Sequence, residues 1–319
     1  MSILIQQRQQ QIRTLATELG FCEVGFLPPL VLQEESQRLQ QWLTEGKHAD
    51  MTWMQTHAHF RTQPSQLIED CQGVVVLLMN YAPPPEVEPK LKIARYAWGK
   101  DYHKVIRKKL QQLLAKLQQS DPTLQGRGFT DSAPILEKAL PVRAGLGWQG
   151  KNSLLLTKKH GSYVFIAELL LNQPVVEAPS HDSPVPWQLD DTNHCGRCQR
   201  CITACPTDAL VAPTVMDANQ CIAFWTIESS SPTIPEPIAE KQAGWVFGCD
   251  VCQEVCPWNE RFAHPHTEPE FQPRPWLMNL TAEQLLTMDE ATFDTTFTNT
   301  PLRRTGLKRL QRNVRNAIK

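Results

Sequence analysis

The sequence predicts an α/β (α+β) domain, then a small cysteine-rich domain, then a short helical C-terminus. Three observations carry that prediction. Residues 1–172 mix helix-period and strand-like apolar segments. Eight of the ten cysteines fall between Cys195 and Cys256, and residues 301–319 hold seven basic residues and no acid. A chain of 319 residues suits about two domains at roughly 150 residues each. With 41% hydrophobic residues, 20% charged residues and a net charge of −1, the composition is that of a globular protein and excludes a disordered one. The best apolar run, Val74–Met79, is six residues long, far short of a membrane helix. The N-terminus is glutamine-rich without a signal-peptide pattern. The expectation is a cytoplasmic monomer with no membrane contact.

In chain order, Ile5, Ile12, Leu15 and Leu19 recur at near-helical spacing. Cys22 to Phe26 reads as a short strand, and Gly73 to Tyr81 as a buried strand ended by three prolines. Tyr102 to Leu117 places Val105, Ile106, Leu110, Leu113, Leu114 and Leu117 on one helical face, with Asp101 as the expected N-cap. Ile135 to Ala144 is helix-like, while Ser153 to Thr157 and Tyr163 to Leu171 are strand-like. Residues 173–193, rich in Pro, Asp and Ser, read as a linker. The cysteine domain spans 194–260. Residues 261–319 form the C-terminal segment, helical from 274, with Thr281 and Gln284 spaced as a capping box. Cys22 and Cys71 stand alone in apolar surroundings and read as core residues.

The cysteine spacing is the most specific signal. Cys195-x2-Cys198-x2-Cys201-x3-Cys205-Pro206 is the bacterial ferredoxin run, in which the fourth cysteine serves the other cluster. Cys249-x2-Cys252-x3-Cys256-Pro257 is the second run, with Cys221 upstream. Three thiolates on one tight loop take three corners of a cubane, and the fourth must come from afar. The expected ligand sets are Cys195, Cys198, Cys201 and Cys256 for one 4Fe–4S cluster, and Cys205, Cys221, Cys249 and Cys252 for the other. Structural zinc is the competing reading, since zinc also takes paired CxxC motifs.

Two nucleotide-like motifs fail on context. Gly145-Leu146-Gly147-Trp148-Gln149-Gly150-Lys151-Asn152 matches GxGxxG and nearly matches a P-loop. Both motifs need a strand before the loop and a helix after it, and here that order is reversed. Asp131, in Gly128-Phe129-Thr130-Asp131-Ser132, reads as a helix N-cap or as a general acid in a pocket; pattern alone favours the cap. At the C-terminus, Leu307, Leu310, Val314 and Ile318 form one helical stripe, and Lys308, Arg312, Arg315 and Lys319 an adjacent one. The acid-free basic segment fits either a solvated helix or a polyanion site.

The combination of Ile93-Ala94-Arg95-Tyr96-Ala97-Trp98-Gly99-Lys100-Asp101-Tyr102-His103, Thr130-Asp131-Ser132, Arg143 to Asn152 and the eight cysteines resembles the epoxyqueuosine reductases, over nearly the whole chain. That family acts last in queuosine synthesis, on the wobble base of certain tRNAs, and is similar in its catalytic half to reductive dehalogenases. The resemblance implies an oxidoreductase with cobalamin in the α/β domain, two 4Fe–4S clusters, tRNA as substrate and an external electron donor. It implies Asp131 as proton donor. It implies corrin contacts from Arg61, from Ala94, Arg95 and Tyr96, from Gly150, Lys151, Asn152, Ser153 and Leu155, and from Asp250 and Val251, with Asp131 at the same pocket. The basic residues Arg303, Arg304, Lys308, Arg312 and Arg315 are the expected tRNA contacts, with Lys104, Arg107 and Lys108 as further candidates. His103 is not assigned as a cobalt ligand, because Asp101 to Ile106 lacks the glycine of the DxHxxG cobalamin motif. A reductive dehalogenase, an electron-transfer module and a zinc-bearing RNA-binding protein are the alternatives.

Overall fold

The computed structural model describes residues 3–177 and 193–319, so most of the expected linker, residues 178–192, lies outside the described residues. In chain order the strands are β1 (Glu23–Leu27), β2 (Gly73–Asn80), β3 (Lys92–Ile93), β4 (Gly126–Phe129), β5 (Trp148–Gln149), β6 (Leu155–Leu156), β7 (Val164–Leu171), β8 (Leu210–Ala212), β9 (Val215–Met216) and β10 (Trp245–Phe247). Four of them form one sheet in the order β1-β2-β7-β4, antiparallel throughout. Residues 1–172 are therefore α+β, without parallel βαβ crossovers in this sheet.

Antiparallel sheets often leave one face wet, but this one is covered on both, which is why β2 and β7 read as near-continuous apolar runs. Helices Ile3–Glu18 and Tyr102–Ser120 bury Ile12, Ile106, Leu110 and Leu113 against Val75, Leu77 and Leu169. On the opposite face Val74, Val76, Phe129 and Leu170 meet Leu27, Ile135 and Leu140. The long helix lies directly on β4. A Cβ at Gly128 would stand 2.7 Å from the Leu110 Cβ, so only glycine admits this contact. Asp101 caps the helix, its side chain accepting the His103 N–H at 3.1 Å. That contact fixes Tyr102 and His103 in the first turn, beside the end of β4. The start of the expected linker is itself docked: Val175 is fully buried, and its carbonyl accepts from Gln9 at 2.6 Å.

The expected boundaries near 193 and 260 cut through shared packing. β10, inside the cysteine segment, pairs in parallel with β3 of the first domain. Ile93, Val246, Phe247, Leu277, Leu310 and Val314 share one core. The Thr281–Gln284 capping box is present, with bonds of 3.2 and 2.9 Å. The C-terminal helix Leu307–Ala317 buries Leu307, Leu310 and Val314 as expected, but Ile318 is 57% exposed, just past the helix end.

The expected tRNA contact Arg312 is corrected here. Its guanidinium is buried and donates to the carbonyls of Trp225 (2.5 Å) and Ser231 and to the Asn313 side chain (2.9 Å). The helix packs on two sides, so a residue on its basic stripe became a structural tie. Arg312→Gln should cost about 1–3 kcal/mol, because buried carbonyls lose their donor. Thermal unfolding should report that loss, and salt-dependent tRNA affinity should stay unchanged once the variant is folded.

Candidate active site and cluster-ligand cysteines

The cysteines gather as two quartets. Cys201 is pushed up by burial and by its neighbours Cys195, Cys256 and Cys198. Cys252 is pushed up by burial and by Cys249, Cys221 and Cys205, with Asp250 close by. Each expected ligand set thus stands as one group of neighbouring thiols. The first loop is closed by the Cys198 N–H to the Cys195 carbonyl at 3.0 Å. Cys195 of this loop and Cys256 of the second run pack with Trp148, Leu156 and Trp258. Cys221 is tied to the second loop through its own segment: the Thr226 hydroxyl accepts the Gly248 N–H at 3.0 Å, next to Cys249. Buried thiols crowded in fours favour the neutral form unless cations compensate, which suits an iron–sulfur cluster.

The glycine loop Gly145–Asn152 binds its own neighbours. A Cβ at Gly147 would meet the Leu156 carbonyl at 2.1 Å. The Lys151 ammonium donates to the carbonyls of Gly196 (2.7 Å) and Cys198 (2.9 Å), and Asn152 donates to the Cys252 carbonyl at 3.3 Å. The P-loop-like lysine thus braces the first cysteine loop. Arg95 likewise turns from the cleft to Asp250 (3.4 Å) and Glu254 (2.5 Å).

Two cavities, of about 240 and 430 Å³, share Tyr96 and Ile227. The inner one is lined by Ala94, Lys138, Leu155, Ile166, Cys249 and Asp250, among others. The outer one is lined by Asp101, Tyr102, His103, Asp131, Arg303 and Arg304, among others. Of the expected corrin contacts, Ala94, Tyr96, Leu155, Asp250 and Asp131 face these cavities. Arg61, Arg95, Gly150, Lys151, Asn152, Ser153 and Val251 line neither.

Asp131 is not a helix cap. It sits after β4 with a φ of +57°, in the left-handed region that aspartate tolerates better than most residues. Its Oδ2 accepts from the Tyr102 hydroxyl at 2.5 Å and from His103 Nε2 at 2.8 Å. The second imidazole nitrogen, Nδ1, lies 2.7 Å from Asp101 Oδ1, so both ring nitrogens are engaged. Burial alone would lower the His103 pKa, but hydrogen bonds to Asp101 and Asp131 outweigh it and push it up to about 9. Burial raises Asp131, yet bonds from His103 and Tyr102 hold its carboxyl below the usual range. At neutral pH the arrangement favours an imidazolium between two carboxylates, with Nε2 2.8 Å from Oδ2 of the cleft-facing acid.

Sequence reasoning missed the participation of Tyr102 and His103, and it missed Glu137 and Lys138. Glu137 Oε1 accepts the Asp131 backbone N–H. Lys138 lines the inner cavity, with Cys252, Glu137 and Asp131 among the groups around it. The Tyr102–His103 pair directly after the expected cap Asp101 was the available signal.

Comparison with known proteins matches this layout. The family model described as epoxyqueuosine reductase QueG, DUF1730, matches residues 61–132. The 4Fe-4S double cluster binding domain matches residues 194–259. An epoxyqueuosine reductase of Cyclobacterium marinum is 41% identical over 97% of this chain and 96% of its own length. One from Synechocystis is 42% identical over 88% of this chain and 94% of its own. A crystal structure of an epoxyqueuosine reductase with a tRNA-Tyr epoxyqueuosine-modified stem loop superposes with a TM-score of 0.87 at 27% identity, covering 98% of this chain and 81% of that one. A Bacillus subtilis epoxyqueuosine reductase, solved with its catalytic aspartate loop swung out of the active site, gives 0.85 at 27% identity, covering 98% of this chain and 82% of that one. With near-full-length identity to such relatives, and a double-cluster domain matched where the two quartets stand, the chain belongs to the epoxyqueuosine reductase family.

Proposed function

We propose that the cleft between the second cysteine quartet and Asp131 reduces the epoxide of epoxyqueuosine in tRNA, with cobalamin seated against the inner cavity and two 4Fe–4S clusters as the electron path. The relatives carry this activity in their names, and one was solved with the modified tRNA stem loop. The observation that carries the reading is the course of the cleft, lined by Cys249 at one end and by Asp131 at the other. Turning an epoxide into an alkene and water takes two electrons and two protons, so an electron source and an acid must face one substrate.

The inner cavity, about 240 Å³, would seat one part of a corrin, with Leu155, Val164, Ile166 and Ile227 as apolar walls and Lys138 and Asp250 as polar groups on the lining. The Ser153 hydroxyl, next in the chain to the lining residues Leu154 and Leu155, is buried without a hydrogen-bond partner among the described residues. When bound, cobalamin supplies redox chemistry at cobalt, between single electrons from the clusters and the two-electron change in the substrate. The electrons enter from an external donor.

Asp131 delivers the proton to the departing oxygen, and His103 restores it. Substrate filling the outer cavity displaces water from the ion pair, which favours its neutral form. The proton then crosses from Nε2 to Oδ2. The Tyr102 hydroxyl holds the carboxyl in place during this transfer. His103 has a folded value of about 9 against an ordinary 6.5. Its stabilising contribution is therefore complete below about 6.5 and lost as pH rises through 9. Turnover should fall over the same alkaline limb. His103→Gln, which cannot hold the proton, should lower kcat by about ten- to a hundredfold and abolish that limb. A pH–rate profile checks both.

The mouth of the outer cavity is basic, with Lys104, Arg303 and Arg304 on its lining. Arg303 pairs with Asp294 at 3.2 Å, and Arg304 pairs with Glu228, so both are anchored. Lys308 and Arg315 are exposed on the last helix. These residues meet tRNA phosphates, and Arg315→Gln should reduce the slope of log affinity against log salt by about one. A salt titration with a stem loop checks this; an unchanged slope removes Arg315 from the interface.

A further inference from the structure

Asn299 has no part in the chemistry above. It stands on the turn that carries Arg303 and Arg304, and it lines the outer cavity together with them, His103 and Asp131. Its backbone has a φ of +58°, in the left-handed region that asparagine enters more readily than most residues and glycine more readily still. The turn is pinned to the catalytic side of the cavity. The Asn299 carbonyl accepts the Asp101 N–H at 2.8 Å and Arg274 Nη2 at 3.0 Å. The Asn299 Oδ1 accepts from the Lys104 ammonium at 2.7 Å, across 195 residues of sequence. Backbone and side chain thus both grip the start of the helix Tyr102–Ser120, whose second residue is His103.

An ammonium only donates, so the Lys104 contact fixes the oxygen side of the amide. The Nδ2 group is left on the other side, with no hydrogen-bond partner among the described residues. Its neighbours in the lining are charged: Lys104, Arg303 and Arg304 as cations, Asp101, Asp131 and Glu228 as acids. Phosphates go to the arginines, whose bonds to them are charge-assisted. A neutral donor in the same cavity suits a neutral oxygen of a base drawn out of its stack. The left-handed turn alone would be served by glycine. The bond to Lys104 orients an amide that the turn does not need.

We propose that Asn299 is a specificity-determining residue, whose Nδ2 donates a hydrogen bond to an oxygen of the epoxide-bearing group when the modified base fills the outer cavity. The inference rests on the reading of that cavity as the substrate site. Asn299 is tied to Asp101, and Asp101 holds His103, so the contact is set in a fixed place relative to the His103–Asp131 pair. A base without the group leaves the donor unpaired and is bound less tightly for that reason.

The test uses the holoenzyme, the variants N299G and N299D, and two tRNA stem loops, one carrying epoxyqueuosine and one carrying guanosine at the same position. The readouts are the Kd of each stem loop, and kcat, KM and the pH–rate profile on the first. N299G keeps the left-handed backbone and its carbonyl bonds but removes the amide. N299D keeps an acceptor for Lys104 and replaces the donor with a second oxygen, so it stays readable if N299G loosens the turn. Wild type should prefer the epoxyqueuosine stem loop. Each variant should cut the ratio of the two affinities about tenfold, as loss of one neutral hydrogen bond does. In N299G the alkaline limb should stay where it is in wild type. A wild-type ratio in N299G would make Asn299 a turn residue only. A wild-type ratio in N299D would mean that the site needs an acceptor, and either result overturns the assignment. A fall in kcat at unchanged KM, with a displaced alkaline limb, would make Asn299 a brace for Asp101 and overturn it as well. Equal affinity of wild type for the two stem loops would remove the substrate-site reading of the outer cavity, and the assignment with it.

Discussion

Asp131→Asn should lower turnover about 10²- to 10⁴-fold, equivalent to about 3–5 kcal/mol of transition-state stabilisation, while iron and cobalamin content stay at wild-type levels. Asparagine keeps the volume of the side chain and still accepts from the Tyr102 hydroxyl, now 2.5 Å away. It has no acidic proton to give. The substitution also removes one of the two carboxylates that hold up His103, so the His103 pKa should fall from about 9 and the alkaline limb should move to lower pH. Neither quartet includes Asp131, which separates a chemical defect from a cofactor defect. Metal analysis and single-turnover kinetics on the same preparation decide between them, and wild-type turnover would remove Asp131 from the mechanism.

Cys221→Ser should abolish turnover and halve the iron, from about eight to about four atoms per chain. The proposed function makes this residue a ligand of the second cluster, and its neighbours are the thiols of Cys205, Cys249 and Cys252. Its segment also carries Thr226, which accepts the Gly248 N–H, and the Trp225 and Thr226 carbonyls that Arg312 and Asn313 grip. Loss of the cluster should therefore loosen the docking of the C-terminal helix and lower the midpoint of thermal unfolding. Iron assay and electron paramagnetic resonance of the reduced protein check the first effect. Unchanged iron would mean that a different residue closes the second quartet.

Much of this was legible in the sequence, for identifiable reasons. The Cys195 to Cys205 run points its first three cysteines toward Cys256 and its fourth toward the second run, and the thiols are grouped that way. The Tyr102–Ser120 helix was legible from its period and cap. What stayed hidden depends on long-range packing. β3 and β10 are two and three residues long, too short to leave a pattern, yet their pairing fuses the cysteine segment to the first domain. Arg312 looked like a phosphate ligand because periodicity counts one buried face, whereas this helix has two neighbours. Lys151 followed a phosphate-loop pattern and instead closes on the Gly196 and Cys198 carbonyls. The Asp131 cap failed because the residue takes a left-handed turn after β4 instead of opening a helix.

The central claim is that this chain removes the epoxide oxygen from epoxyqueuosine in tRNA. The direct measurement is nucleoside mass spectrometry of an epoxyqueuosine-bearing tRNA stem loop, after anaerobic incubation with the cluster-loaded protein, cobalamin and a one-electron reductant. The account predicts conversion to queuosine, seen as loss of one oxygen atom, dependent on cobalamin and absent in D131N. An unchanged nucleoside, from protein shown to hold iron, cobalamin and the stem loop, would contradict it.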